Sequence, residues 1–177
     1  GKKVVVNSNR ALADINKLHA PAYDLLLPVK EYGDIHHVEE SRGCVYKCSF
    51  CSIHGMYPYP RLKSPGRIRE EALRAKEAGV DGVAFLGELV LLDGRRALEI
   101  ADVMKELDMI WRIDAHPSLI RKRKNIIPIL KEKGLRYVET GIESAVQSSL
   151  DVFNKGTTPR KNENAIKILR KAGIITT

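Results

Sequence analysis

From residue 64 onward the chain switches between two rhythms. Short apolar runs alternate with longer stretches whose apolar residues recur every three or four positions. Ser64 followed by Pro65 signals a helix start, and "GRIREEALRAKEAG" then runs to a stop at Gly79. "VDGVAFLGE" is too brief for a helix and reads as a strand ending at Glu88. Asp93 caps "GRRALEIADVMKELD", where Ala97, Ala101 and Met104 share one face. "MIWRIDAH" and "LRYVETGIES" are further strand-like runs. Between them Pro128 fixes a helix boundary. Inside a helix running from Ser118 it would cost about 3 kcal/mol, so the helix is expected to be "NIIPILKEKG", with Asn125 as N-cap and Gly134 as stop. "VQSSLDVFNKG" and "PRKNENAIKILRKAG" read as helices, and "IITT" as the first half of another strand. Upstream, "IHHVEESRG" is strand-like. Residues 1–33 read as a lead-in, with a β-like "KVVV" and then "HAPAYDLLLPVKEYGD", broken by prolines and Gly33.

Strand and helix alternating at about 30-residue spacing predict a parallel α/β fold. An open doubly wound sheet and a barrel both fit that order. The polar residues favour the barrel, because every apolar run ends in chemically able groups. These are Cys44, Cys48 and Cys51 after the first run, Glu88 after the second, Asp114 and His116 at the third, and Glu143 with Ser144 after the fourth. Several strands delivering such residues to one mouth is how a parallel barrel builds its site, whereas an open sheet concentrates its site at one switch point. The expected architecture is a partial parallel (β/α) barrel over residues 34–177, truncated after about four β/α units and the start of strand five.

Composition narrows the setting. No apolar run approaches the roughly 18 residues of a membrane span, and "GKKVVVNSNR" has no signal-peptide core, so the cytoplasm is expected. Lys and Arg (30) less Asp and Glu (22) leave a net charge of +8, which favours anionic partners and leaves nucleic acid open. "RKRK" at Arg121–Lys124 has no interleaved aromatic residues, however, and charge runs are usually solvated.

All three cysteines fall between Cys44 and Cys51, an odd number that argues against a disulfide framework. Four readings compete. Packing alone poorly explains three thiols in a loop beside Lys47. A redox pair of Cys48 and Cys51 leaves Cys44 unexplained. Zinc would take Cys44, Cys48, Cys51 and His54, the right kinds of ligand but without a second knuckle. A 4Fe–4S cluster would use the three thiolates and keep one iron open for a substrate or cofactor.

The spacing C-x3-C-x-aromatic-C, present as Cys44, Cys48, Phe50 and Cys51, resembles the signature of the radical S-adenosylmethionine superfamily. "ESRGCVYKCSFC", "APAYDLLLP" and "TGIESAVQSSLDVFNKGTT" are most like members whose N-terminal domain binds cobalamin. The resemblance implies a 4Fe–4S cluster on the three cysteines and S-adenosylmethionine chelated to its open iron. Reductive cleavage of the sulfonium would then give a 5′-deoxyadenosyl radical that abstracts hydrogen from a substrate. An electron donor such as a flavodoxin or ferredoxin is implied as partner. "FLGE" looks like the family's Gly-Gly-Glu-type motif, with Leu86 where the first glycine often stands. Phe50, Gly87, Glu88, Glu143 and Ser144 are the implied cofactor-binding positions. His36, His37, Arg112, Asp114 and His116 receive no role. The family's fifth-strand glycine motif and the cobalamin domain would lie outside residues 1–177, so the chain is expected to be a segment of a longer enzyme, a cobalamin-dependent methyltransferase or cyclase. The rival readings are an RNA-modifying methylthiotransferase and a zinc-stabilised, basic nucleic-acid-binding module.

Overall fold

The computed structural model describes residues 4–5, 7–8, 10–25 and 35–177. The β-like run at 3–6 and the stretch 26–34 lie wholly or partly outside these residues. In chain order the elements are β1 (Ile35–Glu39), β2 (Ser41–Arg42), α1 (Ile53–Met56), β3 (Arg61–Leu62), α2 (Pro65–Glu77), β4 (Gly82–Leu86) and α3 (Gly94–Glu106). Then come β5 (Ile110–Asp114), α4 (Pro117–Lys122), α5 (Ile127–Glu132), β6 (Leu135–Glu139), α6 (Gln147–Val152), α7 (Pro159–Lys171) and β7 (Ile175–Thr176). Strands β1-β4-β5-β6-β7 form one sheet in that order, and every neighbouring pair is parallel. This is the expected α/β alternation, with each crossover supplied by helices.

Local chemistry explains the helix starts. Ser64 Oγ accepts from Arg67 N at 3.2 Å with Pro65 in the first turn. The Asp93 carboxylate accepts from Arg95 N at 2.8 Å and Arg96 N at 3.3 Å. Thr158 Oγ1 accepts from Lys161 N at 3.3 Å ahead of Pro159. Each cap satisfies amides that the first helical turn leaves open. The core lies between the sheet and its helices, where Val38, Val83, Phe85, Trp111, Ile113 and Val138 meet Ile68, Ala72, Ala97, Ile100, Ala101 and Met104. Phe85 and Trp111 pack edge to face at 5.9 Å. Trp111 Nε1 donates to the Lys133 carbonyl at 2.9 Å, so the indole is buried without an orphaned N–H.

Three expectations need correction. "IHHVEESRG" is not one strand, because β1 ends at Glu39 and Ser41–Arg42 pair antiparallel with Arg61–Leu62 in a separate ribbon. Pro128 does sit in the first turn of its helix, but Ile126 rather than Asn125 occupies the cap. A helix before it, α4, was not expected. His116 opens it through Nδ1, which accepts from Ser118 N at 3.1 Å, and Pro117 follows. Part of the lead-in packs against the start of α2 and against β1, with Ile15 and Tyr23 buried, Asn16 Oδ1 accepting from Ser64 N at 2.7 Å and Tyr23 edge-on to His36. Among the described residues no helix is long and apolar enough to cross a membrane.

Candidate active site

The cysteine loop leaves the sheet after β1 and is closed at its base by the β2–β3 ribbon. Gly43 starts it at φ 90°, and a Cβ there would lie 2.9 Å from the Tyr59 carbonyl oxygen, so the stems approach too closely for any other residue. The far side of the loop is tied to the segment after α6. Ser49 N donates to the Phe153 carbonyl at 2.9 Å, and Ser49 Oγ donates to the Val152 carbonyl at 2.9 Å. Asn154 Nδ2 donates to the Lys47 carbonyl at 2.7 Å. Phe50 and Phe153 pack edge to face at 5.5 Å.

All three thiols are free and line one cavity of about 190 Å³, together with Phe50, Glu88 and Glu143. A second cavity of about 250 Å³ shares Cys44, Glu88 and Asp114 with the first and adds Gly87 and Arg42. Both open beyond the C-terminal ends of the strands, where a parallel barrel carries its chemistry.

Burial sets most of the electrostatics here. It pushes the Cys44 thiol up; the Tyr46 N–H at 3.4 Å opposes this, and Glu88, 3.9 Å from Sγ, reinforces it. Cys48 is likewise raised by burial, against the pull of Lys155. Both shifts favour the thiol over the thiolate, and a metal that binds a thiol must displace its proton. Lys155 is itself buried; its Nζ donates to Glu143 Oε1 at 3.0 Å and lies 5.8 Å from the Phe50 ring centroid. Tyr46 stacks on His116 at 3.7 Å, and burial pushes its phenol up to about 12. Burial lowers His116 to about 4. Its Nδ1 accepts from Ser118 N, so Nε2 carries the proton and donates to the Lys155 carbonyl at 3.0 Å. Asp114 is raised by burial first and then by Glu139, and its Oδ1 is buried without a hydrogen-bond partner.

The fold thus gathers Cys44, Cys48, Phe50, Cys51, Glu88 and Glu143 around one cavity. Gly87 lines the second cavity, and the backbone requires a glycine there. At φ 127° its Cβ would fall 2.3 Å from Ser41 Oγ and 2.7 Å from Glu40 Oε1. Ser144 lines neither of the two cavities; its Oγ accepts from Val146 N at 3.0 Å. Glu143 lies four residues past the end of β6, in a loop at φ 62°, rather than on the strand. His36 packs against Tyr23, and Arg112 pairs with Glu139 at 2.6 Å. His54 is exposed on α1. Among the described residues no three His, Cys, Asp or Glu side chains surround a point closely enough to hold a single ion. Thiolates on a 4Fe–4S cluster face a different demand, since each meets a separate iron. Three free thiols opening on one cavity fit that demand. Sequence reasoning missed Lys155 and Tyr46, whose only signal was their place inside the motif-bearing segments.

The profile of the Radical SAM superfamily matches residues 38–177, and the chain belongs to that superfamily. Among its relatives, the anaerobic magnesium-protoporphyrin IX monomethyl ester cyclase of Rubrivivax gelatinosus is 29% identical over 139 residues, covering 77% of this chain and 25% of the cyclase. An uncharacterized methyltransferase of Pyrococcus horikoshii is 30% identical over 170 residues, covering 92% of this chain and 37% of the relative. The hopanoid C-3 methylase of Methylococcus capsulatus is 30% identical over 165 residues, covering 88% of this chain and 31% of the methylase. The chain therefore spans well under half the length of each. In fold it matches the apo structure of the cobalamin-dependent S-adenosylmethionine radical enzyme OxsB, with a TM-score of 0.75 at 20% identity over 94% of this chain and 26% of that one. It also matches the methyltransferase TsrM of Kitasatospora setae, with a TM-score of 0.66 at 16% identity over 90% of this chain and 33% of that one.

Proposed function

We propose that this chain is the catalytic core of a radical S-adenosylmethionine enzyme. In this reading Cys44, Cys48 and Cys51 hold a 4Fe–4S cluster, and S-adenosylmethionine binds across the first cavity. In a longer enzyme the core serves a cobalamin-dependent methyl transfer or cyclisation, with a flavodoxin or ferredoxin as electron donor. When bound, the cluster supplies the electron that cleaves the sulfonium C–S bond to a 5′-deoxyadenosyl radical. The observation that carries the proposal is the shared cavity, in which three thiols meet the carboxylates of Glu88, Asp114, Glu139 and Glu143 and a buried ammonium beyond the strand ends.

The chain's own residues have distinct tasks. Glu88 offers a carboxylate to the cationic amino group of the methionine moiety. Lys155, already bonded to Glu143, has N–H donors left for its carboxylate. Phe50, braced edge to face by Phe153, presents an apolar ring at the cysteine side of the cavity. Tyr46 and His116 stack behind the loop, and the neutral imidazole holds Lys155 through its backbone. The methyl-transfer or cyclisation outcome is supported by what the relatives are named for, methylases and a cyclase, and cobalamin by the description of OxsB.

Anaerobic reconstitution tests the reading. Wild type should take up iron and sulfide in near-equal amounts and turn brown. Cys44→Ala, Cys48→Ala and Cys51→Ala should each lose the cluster, while His54→Ala keeps it. Loss of metal in His54→Ala as complete as in the cysteine variants would instead favour zinc.

A further inference from the structure

Glu40 is wholly buried, and the cofactor chemistry above makes no use of it. It stands at the end of β1, just before the cysteine loop. Its side chain gathers donors from three places. Oε1 accepts from Ser41 Oγ at 2.6 Å and from Leu89 N at 2.9 Å, and Oε2 accepts from Arg96 Nη2 at 2.7 Å. Its backbone continues the pattern, with Glu40 N donating to the Leu86 carbonyl at 2.9 Å. Leu86 and Leu89 flank the Gly87–Glu88 turn, so one residue grips that turn from both sides.

Arg96, reaching in from α3, grips the two stems of the cysteine loop. Its Nη2 donates to the Glu40 carbonyl and its Nε to the Lys63 carbonyl, both at 2.9 Å. Lys63 N in turn donates to the Glu40 carbonyl at 2.9 Å. The fit leaves no slack, since a Cβ at Gly87 would overlap Ser41 Oγ and Glu40 Oε1. A buried ion pair contributes little net stability once desolvation is counted, so stability alone is a poor reason for this arrangement.

We infer that Glu40, held by Arg96, is a positioning residue that sets the Gly87–Glu88 turn against the base of the cysteine loop. This rests on the reading of Cys44 and Glu88 as cofactor-binding residues. The clamp keeps the thiol of Cys44 and the carboxylate of Glu88, now 3.9 Å apart, in one fixed relation.

Glu40→Gln is the informative change. Both carboxylate oxygens accept, whereas an amide has one acceptor and one donor, so either the Leu89 link or the Arg96 link must go. Glu71→Gln is the control. Glu71 is as deeply buried and bonds Lys63 Nζ at 2.8 Å and Arg67 Nε at 3.1 Å, but neither partner lies in the Gly87–Glu88 turn. In amide hydrogen exchange of the metal-free chain, Glu40→Gln should speed residues 41–48 and 87–92 by about tenfold and leave 110–139 unchanged. Glu71→Gln should loosen α2 and leave 87–92 at the wild-type rate. After reconstitution, Glu40→Gln should keep wild-type iron content and bind S-adenosylmethionine about tenfold more weakly. Wild-type exchange at 87–92 in Glu40→Gln, or the same uniform loosening in both variants, would overturn the inference. Should Glu40→Gln not fold, Ser41→Ala removes one donor and must speed the same two segments, and unchanged exchange there overturns it equally. A wild-type chain that takes up no cluster on reconstitution would sink the cofactor reading, while the exchange measurement still decides the clamp.

Discussion

On β5, Trp111 and Ile113 point into the helices and are buried, while Arg112 and Asp114 on the opposite face keep 40% and 35% of their side-chain surface exposed. Alternate residues of one strand thus live under different rules. The helix side is apolar and close-packed, and its stability comes from removing area from water. The mouth side is charged, and several groups there are paired: Arg112 with Glu139, Lys155 with Glu143, Cys44 beside Glu88. The contrast separates what makes the fold from what the fold is for. Mutations on the two faces should fail in different assays.

The largest effect belongs to the helix side. Trp111→Ala removes the centre of the Phe85–Trp111 pair and should lower unfolding free energy by about 3–5 kcal/mol in urea titration. A loss below about 1 kcal/mol would mean that this face repacks freely and that the contrast is overstated.

His116 sits at the boundary, buried but beside the cavity. Its folded pKa of about 4 lies below the ordinary 6.5, so the folded state favours the neutral ring. The resulting stability is complete above about pH 6.5 and is lost as pH falls through the window toward 4, amounting to about 3 kcal/mol at most. NMR titration of the His116 ring should show no protonation at pH 6, and a midpoint near 6.5 would place the ring in water.

Glu88→Gln should act on the mouth alone. Cofactor affinity should weaken by about 1–3 kcal/mol in calorimetric titration of S-adenosylmethionine, with the cluster and the unfolding midpoint unchanged. Equal affinities would remove Glu88 from the site. The smallest effect should come from the exposed pair: Arg112→Ala should change stability by at most about 1 kcal/mol. A larger loss would show that the charged face also holds the sheet together.

The same divide explains what could be read in advance. The helix side announces itself through period and punctuation. Ser64, Asp93, Pro128 and Pro159 each mark a helix start by their own local chemistry, and the apolar runs at 82–86 and 110–114 became strands. Helix α4 escaped because a histidine nitrogen does the capping, a job usually read from Ser, Thr, Asp or Asn. The β2–β3 ribbon escaped because two residues per strand carry no alternation. At the mouth, the positions of the cysteines after the first apolar run and of Glu88 after the second could be read from the order of the runs. Lys155, Glu40 and Arg96 were not, because a charged residue looks solvated until a partner far along the chain buries it. Arg96 and Glu40 are 56 positions apart, and only the fold makes them neighbours.

The double tethering of the cysteine loop has a further meaning in terms of entropy. A free loop carrying three thiols would have to surrender its conformational freedom when metal arrives, and that loss would weaken binding. Here the loop is closed at one end by the ribbon and at the other by Ser49 and Asn154, whose partners lie 103 and 107 positions away. Folding has already imposed the order that the three iron–thiolate bonds of the proposed cluster would require, so most of their ligation energy would remain available as affinity.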